Sequence, residues 1–452
     1  MTHNNQNNLF LLIIFVFISF CFSQEFSRDE HHILVSVVAQ DLCSSIFISK
    51  RNYSTIPPYL EDINDAPGYY ATMKVNHIQQ FVIATSIRYP EIRKISKFID
   101  GYRGCSILRE PLDLFDKKFP PLKRNKKNFK PMKIEVQKNS NIQKIIDLEF
   151  ENKPIRTRSI IVYHKKKIIG ERYTNEFTMN TPQLVWSVTK SFLNILFGIS
   201  VHKKMLSIED LILAPEWQQY PNDPRNKMKI IDALKMTSTL NFSESYGYKS
   251  DPAKITYNST SMGHYAASKF LRGPPIGSDF RYNTGDSSLL SRKLSTYFKS
   301  KQEYWRFPKE QLFDKLGFSE ESLINVDGTM VFAGGALGYF TPRDLLKFGI
   351  FLINDGIVNG ERLVPDYWIK MSSSGTIQSN GTHGMHFWKP SNRYERPIEI
   401  PKDCFAASGI RKQICLVCPS LDLIITRQGL TDVVWKENEL FKKIIKEIKT
   451  NQ

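Results

Sequence analysis

The stretch LVWSVTKSF, from Leu184 to Phe192, puts a serine, Ser187, three residues ahead of a lysine, Lys190, at the point where an apolar helical pattern begins. Val188, Phe192, Ile195, Leu196 and Ile199 keep the spacing of one helix face. Residues three apart on a helix are neighbours. If Ser187 opens the helix, Lys190 lies one turn below it. A serine hydroxyl needs a base within hydrogen-bond reach to act as a nucleophile. The free N–H groups and positive end of a helix N-terminus favour a developing negative charge there. A lysine titrates ordinarily near 10.4, so it needs burial or a positive neighbour before it serves as that base. The spacing by itself is weak, because Ser200 and Lys203 repeat it deeper in the same predicted helix, without free N–H groups beside them.

Around this stretch the pattern alternates between strand and helix. SIIVYHKKKIIGERY, starting at Ser159, reads as two strands joined by a polar Lys turn. Residues 207–356 read as mostly helical with long loops, and Thr341-Pro342 marks a helix start at PRDLLKFGIFLIND. Strands return in MHFWKP, DCFAASG, QICLVCP and LDLIITRQ, and VVWKENELFKKIIKEIK closes the chain as an amphipathic helix. Strands, helical insertion, strands and terminal helix imply an α/β (α+β) lobe on an antiparallel sheet, interrupted by an all-α lobe, with the site in a cleft between them.

The 452 residues are 41% hydrophobic, enough for a large core and against wholesale disorder. The apolar run between Leu9 and Phe22 is too short to span a bilayer comfortably and reads as a signal-peptide core cleaved near Ser23. The expected divisions are a leader at 1–23, an extension at 24–145 and a main domain at 146–452. The extension begins as a helix, HHILVSVVAQDLC, leads into a strand-like SIFIS, and ends in a Pro-rich connector at 111–133. The leader implies a secreted or endomembrane-lumen protein. Four glycosylation sequons, at Asn52, Asn241, Asn258 and Asn380, fit that route. So does a bridge between Cys43 and Cys105. Cys415 and Cys418, three apart in a strand pattern, face opposite sides and read as buried strand cysteines.

Net charge is +17, and much of the excess lies in KKFPPLKRNKKNFKPMK, between Lys117 and Lys133. With Pro and Asn punctuation and no nucleic-acid motif, this segment reads as a solvated linker rather than a nucleic-acid site. Weak binding to an anionic surface is the partner class it leaves open. No Gly-x-Ser-x-Gly elbow, Walker loop or dinucleotide fingerprint occurs. His383-x-x-His386 lacks the glutamate and spacing of a zinc protease, and His31-His32 reads as solvated. No metal or cofactor is expected.

Five ordered segments together resemble the class C β-lactamase-related family of the penicillin-recognising fold, the group that includes 6-aminohexanoate-dimer hydrolases. They are LVWSVTKSF, IIDALKMTSTLNF, DFRYNTGDSSLLS, GGALGYFTPRDLLKFGIFLINDG and FAASGIRKQICLVCPSLDLIITRQG. The resemblance covers most of the chain after the leader. It implies Ser187 as acyl-forming nucleophile, Lys190 as the group that holds or accepts its proton, and Tyr282 as second base and proton shuttle. It also implies an oxyanion hole from the N–H groups of Ser187 and Ile410, and substrate-facing positions at Thr284, Ser408 and Gly409.

Three positions depart from the family pattern. Thr239 replaces a usual Gly in the "LLxMTSGL" segment. Thr284 stands where β-lactamases have the Asn of Tyr-x-Asn. Ala407-Ser408-Gly409 replaces Lys-Thr-Gly, losing the cation that seats a β-lactam carboxylate. Arg411 and Lys412 are candidates to replace that charge. The expectation is a secreted serine hydrolase acting through an acyl-enzyme on an amide, peptide-like or ester bond rather than a β-lactamase. A non-catalytic binding protein on the same fold is the alternative.

Overall fold

The computed structural model describes residues 26–52, 70–124, 132–390 and 399–450. The leader expected at 1–23 lies outside them. The chain begins with α1 (Arg28–Phe47), capped by Ser27 and Glu30 in a reciprocal capping box. SIF of the strand-like SIFIS is its last turn, not a strand. Four short strands follow and form an antiparallel sheet in the order β1-β2-β3-β4 (Ala71–Asn76, Phe81–Ser86, Arg93–Phe98, Cys105–Ile107). Their weak alternation, as in ATMKVN, hid them in the sequence. Cys43 of α1 is bonded to Cys105 of β4, as the sequence led us to expect. His31 is buried on α1 with Nδ1 2.9 Å from Ser86 Oγ, so it is not the solvated residue its sequence setting suggested.

Of the connector at 111–133, the described part at 111–124 is more structured than a solvated linker. Helix α2 (Leu112–Lys118) buries Phe115, Phe119 is buried just beyond it, and Arg124 pairs with Asp314 and Glu320 at 3.1 and 3.0 Å. Apolar residues between the lysines hold the segment down; Lys117 remains exposed.

The main sheet has six strands, in the order β11-β12-β13-β6-β7-β5. Its members are β5 (Glu135–Val136), β6 (Thr157–His164), β7 (Lys167–Tyr173), β11 (Phe405–Gly409), β12 (Gln413–Cys418) and β13 (Leu423–Gly429). All pairs are antiparallel except β5 with β7. Lys165 and Lys166 turn the β6–β7 hairpin in the left-handed region, φ 47° and 67°. Helix α3 (Ser140–Glu151), capped by Asn139, packs on β7, where a Cβ on Gly170 would sit 2.7 Å from Ile146 Cδ1. The boundary expected after residue 145 therefore falls inside a helix of the main domain.

Both faces of the sheet are covered. Ile160, Val162, Leu416 and Ile425 point to α3 and the terminal helix α7 (Glu437–Thr450). Ile161, Val417 and Ile424 point to the other face, with α4 (Val188–His202) and α6 (Pro342–Ile353). Thr341 caps α6 and Pro342 opens it. Phe192 of α4 stacks between Phe340 and Phe348, ring centroids 4.0 and 3.9 Å away. Truncating it to Ala would cost about 3–5 kcal/mol.

Strand period explains the cysteines. Cys415 is free, buried and on the α6 face, while Cys418 is on the opposite face. Cys418 is nonetheless disulfide-bonded, to Cys404. The β11–β12 register pairs Phe405 with Val417, which sets Cys404 opposite Cys418. Reading Cys418 as a plain strand cysteine missed this bond because register is not visible in spacing. MHFWKP is also not a strand of the ladder; Trp388 makes isolated bridges to His383 and to Ala406 on the outer edge of β11.

Between β7 and β11 lies the mainly helical insertion. It contains α4, α5 (Thr284–Ser295) and α6, and a small sheet in the order β8-β10-β9 (Gln183–Leu184, Gly338–Phe340, Leu323–Ile324). Strand β8 feeds α4 through Val185 and Trp186, which places Ser187 where sheet and insertion meet.

Candidate active site

Ser187 is the residue that caps α4, and Trp186 before it is left-handed, φ 47°. A bulky residue in that conformation is strained and persists only where its surroundings impose it. Here Val185 N–H bonds the Gly338 carbonyl at 2.9 Å, and Thr189 Oγ1 bonds the Trp186 carbonyl at 2.6 Å, locking the turn on both sides. Ser187 is left partly exposed at the head of the helix.

Lys190 is 1% exposed. Its ammonium donates to Ser187 Oγ at 3.0 Å, Thr284 Oγ1 at 3.1 Å and the Gly335 carbonyl at 2.6 Å. Burial lowers its pKa to about 8, against an opposing pull from the Glu244 carboxylate. Spacing and helix position put Lys190 under Ser187; the burial that lowers its pKa comes from α5 and the 333–338 turn.

Tyr282 precedes α5 and reaches the same point. Its ring centroid is 5.1 Å from Lys190 Nζ, and its phenol is near enough to the Ser187 hydroxyl to feel it. Burial, with Glu244 adding to it, raises the phenol well above its ordinary value, while the Ser187 hydroxyl pulls the other way. The phenol therefore stays protonated at rest. Burial thus acts on the two groups in opposite senses: it lowers the lysine and raises the phenol.

Thr284 shows how the departure from Tyr-x-Asn is accommodated. Its hydroxyl accepts from Lys190 and donates to Glu244 Oε1 at 2.7 Å, and its N–H donates to Glu244 Oε2 at 2.7 Å. A hydroxyl can do both, linking amine to carboxylate. Glu244 was missed in the sequence. It lies in the 240–280 loops, where no periodicity or motif marks it.

Strand β11 forms the other side. A Cβ on Gly409 would lie 2.5 Å from the Val185 carbonyl and 3.1 Å from Ser187 N. Only glycine lets β11 approach the Ser187 turn this closely, and the approach brings Gly409, which lies between Ser408 and Ile410, against Ser187. Beyond them Arg411 and Lys412 are both left-handed, φ 64° and 62°. Arg411 pairs with Asp432 and Lys412 with Glu437 at 2.7 Å. Neither replaces the cation that Ala407 lacks, because each already neutralises a carboxylate.

His383 and His386 are also here, and the sequence pattern gave them no role. The His386 Nδ1 atom lies 2.9 Å from the Lys190 carbonyl, so that nitrogen carries the proton; Nε2 faces Ser287 Oγ at 3.4 Å. Ser191 Oγ donates to the His386 carbonyl at 2.6 Å. Burial holds both histidines down at about 3, hence neutral. His386 ties α4 to α5 beneath the lysine. His383 packs on the rings of Phe280, Tyr282 and Trp388 and backs an aromatic wall. The signal that could have found them is the apolar, aromatic setting of HGMHFW.

The Thr239 departure is a matter of backbone. Thr239 sits at φ 57° with a buried hydroxyl that has no partner among the described residues. That is the conformation a glycine adopts at no steric cost. Asn52, Asn241, Asn258 and Asn380 are all exposed.

The family described as Beta-lactamase matches residues 142–426. The 6-aminohexanoate-dimer hydrolase of Paenarthrobacter ureafaciens is 22% identical over 266 residues, 55% of this chain and 66% of that protein's length. A Bacillus anthracis structure assigned as a 6-aminohexanoate-dimer hydrolase superposes with TM-score 0.60 at 16% identity, covering 71% of this chain and 89% of its own. A family VIII carboxylesterase superposes with TM-score 0.52 at 11% identity, covering 71% and 99%. EstCE1, a hydrolase with promiscuous acyltransferase activity, gives 0.53 at 11%, covering 68% and 97%. The family match spans more than half of the chain and contains all the residues assembled around Ser187: the chain belongs to the β-lactamase family.

Proposed function

We propose that this chain, a serine hydrolase of the β-lactamase family, cleaves a linear amide or ester bond through a covalent acyl-enzyme on Ser187. The observation that carries the reading is Lys190, buried, with its amine 3.0 Å from Ser187 Oγ. The neutral fraction of Lys190 takes the Ser187 proton as Oγ attacks the substrate carbonyl. The resulting oxyanion is held by the N–H groups of Ser187 and Ile410, donors of a kind worth about two to three orders of magnitude in rate each. Tyr282 gives its proton to the leaving amine or alcohol, and the proton that Lys190 took from Ser187 restores it. Water then attacks the ester of Ser187 by the reverse path and releases the acid.

A β-lactam is disfavoured, since Ala407 offers no cation and Arg411 and Lys412 are committed elsewhere. The hydrolase and esterase names of the relatives point to open-chain amides and esters. Two disulfides and four exposed sequon asparagines support an oxidising, secretory location.

The test is turnover of a panel of linear esters, linear amides and a penicillin by wild type and Ser187→Ala. Ester or amide turnover that disappears in Ser187→Ala is expected. Undiminished turnover in Ser187→Ala, or none with any substrate together with no adduct from a serine-directed probe, would favour the non-catalytic alternative.

A further inference from the structure

The extension before residue 142 lies outside the family match, yet it reaches the nucleophile. Ile33 and Val37 of α1 and Ile107 of β4 form an apolar cluster with Tyr257, and Trp186 and Tyr248 pack against it. Trp186 is the residue immediately before Ser187. It and Tyr248 are only partly buried, so each keeps a portion clear of the cluster. The extension also grips the loop carrying Glu244. Phe26 meets Tyr248 edge-on with centroids 5.2 Å apart, Glu30 faces Lys249 at 3.5 Å, and Arg109 donates to the Ser259 carbonyl at 3.1 Å. The Cys43–Cys105 disulfide ties α1 to β4, the two elements that supply the aliphatic side chains.

We propose that Ile33, Val37 and Ile107 are positioning residues for specificity: they hold Trp186 and the 244–258 loop as an apolar wall beside Ser187 that receives an aliphatic or aromatic group of the substrate. The proposal rests on the serine-hydrolase reading. Removing methylenes behind Trp186 and Tyr248 opens space into which both rings relax, and the wall loses its fit to a long apolar group. Attack on a small acyl or phosphonyl group needs only Ser187, Lys190 and Tyr282 and is left in place.

The experiment measures second-order labelling rates of Ser187 by a short-chain (ethyl) and a long-chain (octyl) fluorophosphonate, on the full chain after leader removal. Wild type reacts faster with the octyl reagent, at about fourfold per methylene usefully buried. Ile33→Ala and Val37→Ala lower the octyl-to-ethyl ratio about tenfold, the scale of a few lost apolar contacts, with the ethyl rate nearly unchanged. Ile33→Val and Ile107→Val, milder changes, lower the ratio less and serve if the Ala variants fail to melt cooperatively. Equal ethyl and octyl rates in wild type, an unchanged ratio in folded variants, or a fall of both rates by one factor would overturn the proposal. No labelling of wild type by either reagent would instead defeat the hydrolase reading.

Discussion

One helix carries two Ser-x-x-Lys tetrads, and they have different fates. At its head, Ser187 caps α4 partly exposed, and Lys190 is buried with three acceptors, one of them Ser187 Oγ. At its tail, Ser200 is fully buried with its hydroxyl folded back on the Leu196 carbonyl at 2.8 Å, and Lys203 caps the helix C-terminus in solvent. Spacing is identical. What differs is the end of the helix and the surroundings: free N–H groups, a glycine strand at van der Waals range, and an α5 that desolvates the lysine. Chemistry at a Ser-x-x-Lys pair is therefore a property of what packs on it.

The comparison breaks most sharply by substitution of the serines. Ser187→Ala is expected to lower turnover about four orders of magnitude or more, while Ser200→Ala leaves steady-state rates near wild type because its helix hydrogen bond is dispensable. Lys190→Met should cost about two to four orders in kcat/KM, and Lys203→Met nothing measurable, in the same assay. The pH–rate profile sharpens the contrast. If neutral Lys190 is the base, kcat/KM rises with pH toward a plateau above about 8, with a slope of about tenfold per unit below it. Glu244→Gln keeps an acceptor for Thr284 but removes a charge that raises the lysine. The midpoint then moves to lower pH, with kcat reduced less than about tenfold; an unmoved midpoint would remove Glu244 from the account. The smallest effect concerns stability: Thr239→Gly relieves a left-handed β-branched residue and should stabilise by about 1 kcal/mol in denaturant melts.

These expectations also separate what the sequence could show from what it could not. That Ser187, Lys190 and Tyr282 come together was legible because helix periodicity and ordered family motifs are local. The Lys165-Lys166 hairpin and the Thr341-Pro342 cap were legible for the same reason. The Cys43–Cys105 bridge was read from the leader-like run and from the two cysteines sharing the N-terminal region. Glu244, His386 and the Cys404–Cys418 bond were not legible, since each depends on register or on long-range packing. His31 and the strands β1–β4 were hidden by short, weakly alternating segments whose burial comes from α1. The cation missing at Ala407 was visible in the sequence; that Arg411 and Lys412 do not restore it became visible only through Asp432 and Glu437.

The most direct test of the central claim is peptide mapping by mass spectrometry after treatment with a fluorophosphonate, on wild type, Ser187→Ala and Ser200→Ala. A single adduct on Ser187 in wild type and in Ser200→Ala, and none in Ser187→Ala, is the predicted result. An adduct on Ser200, or labelling of folded Ser187→Ala equal to that of wild type, would contradict it.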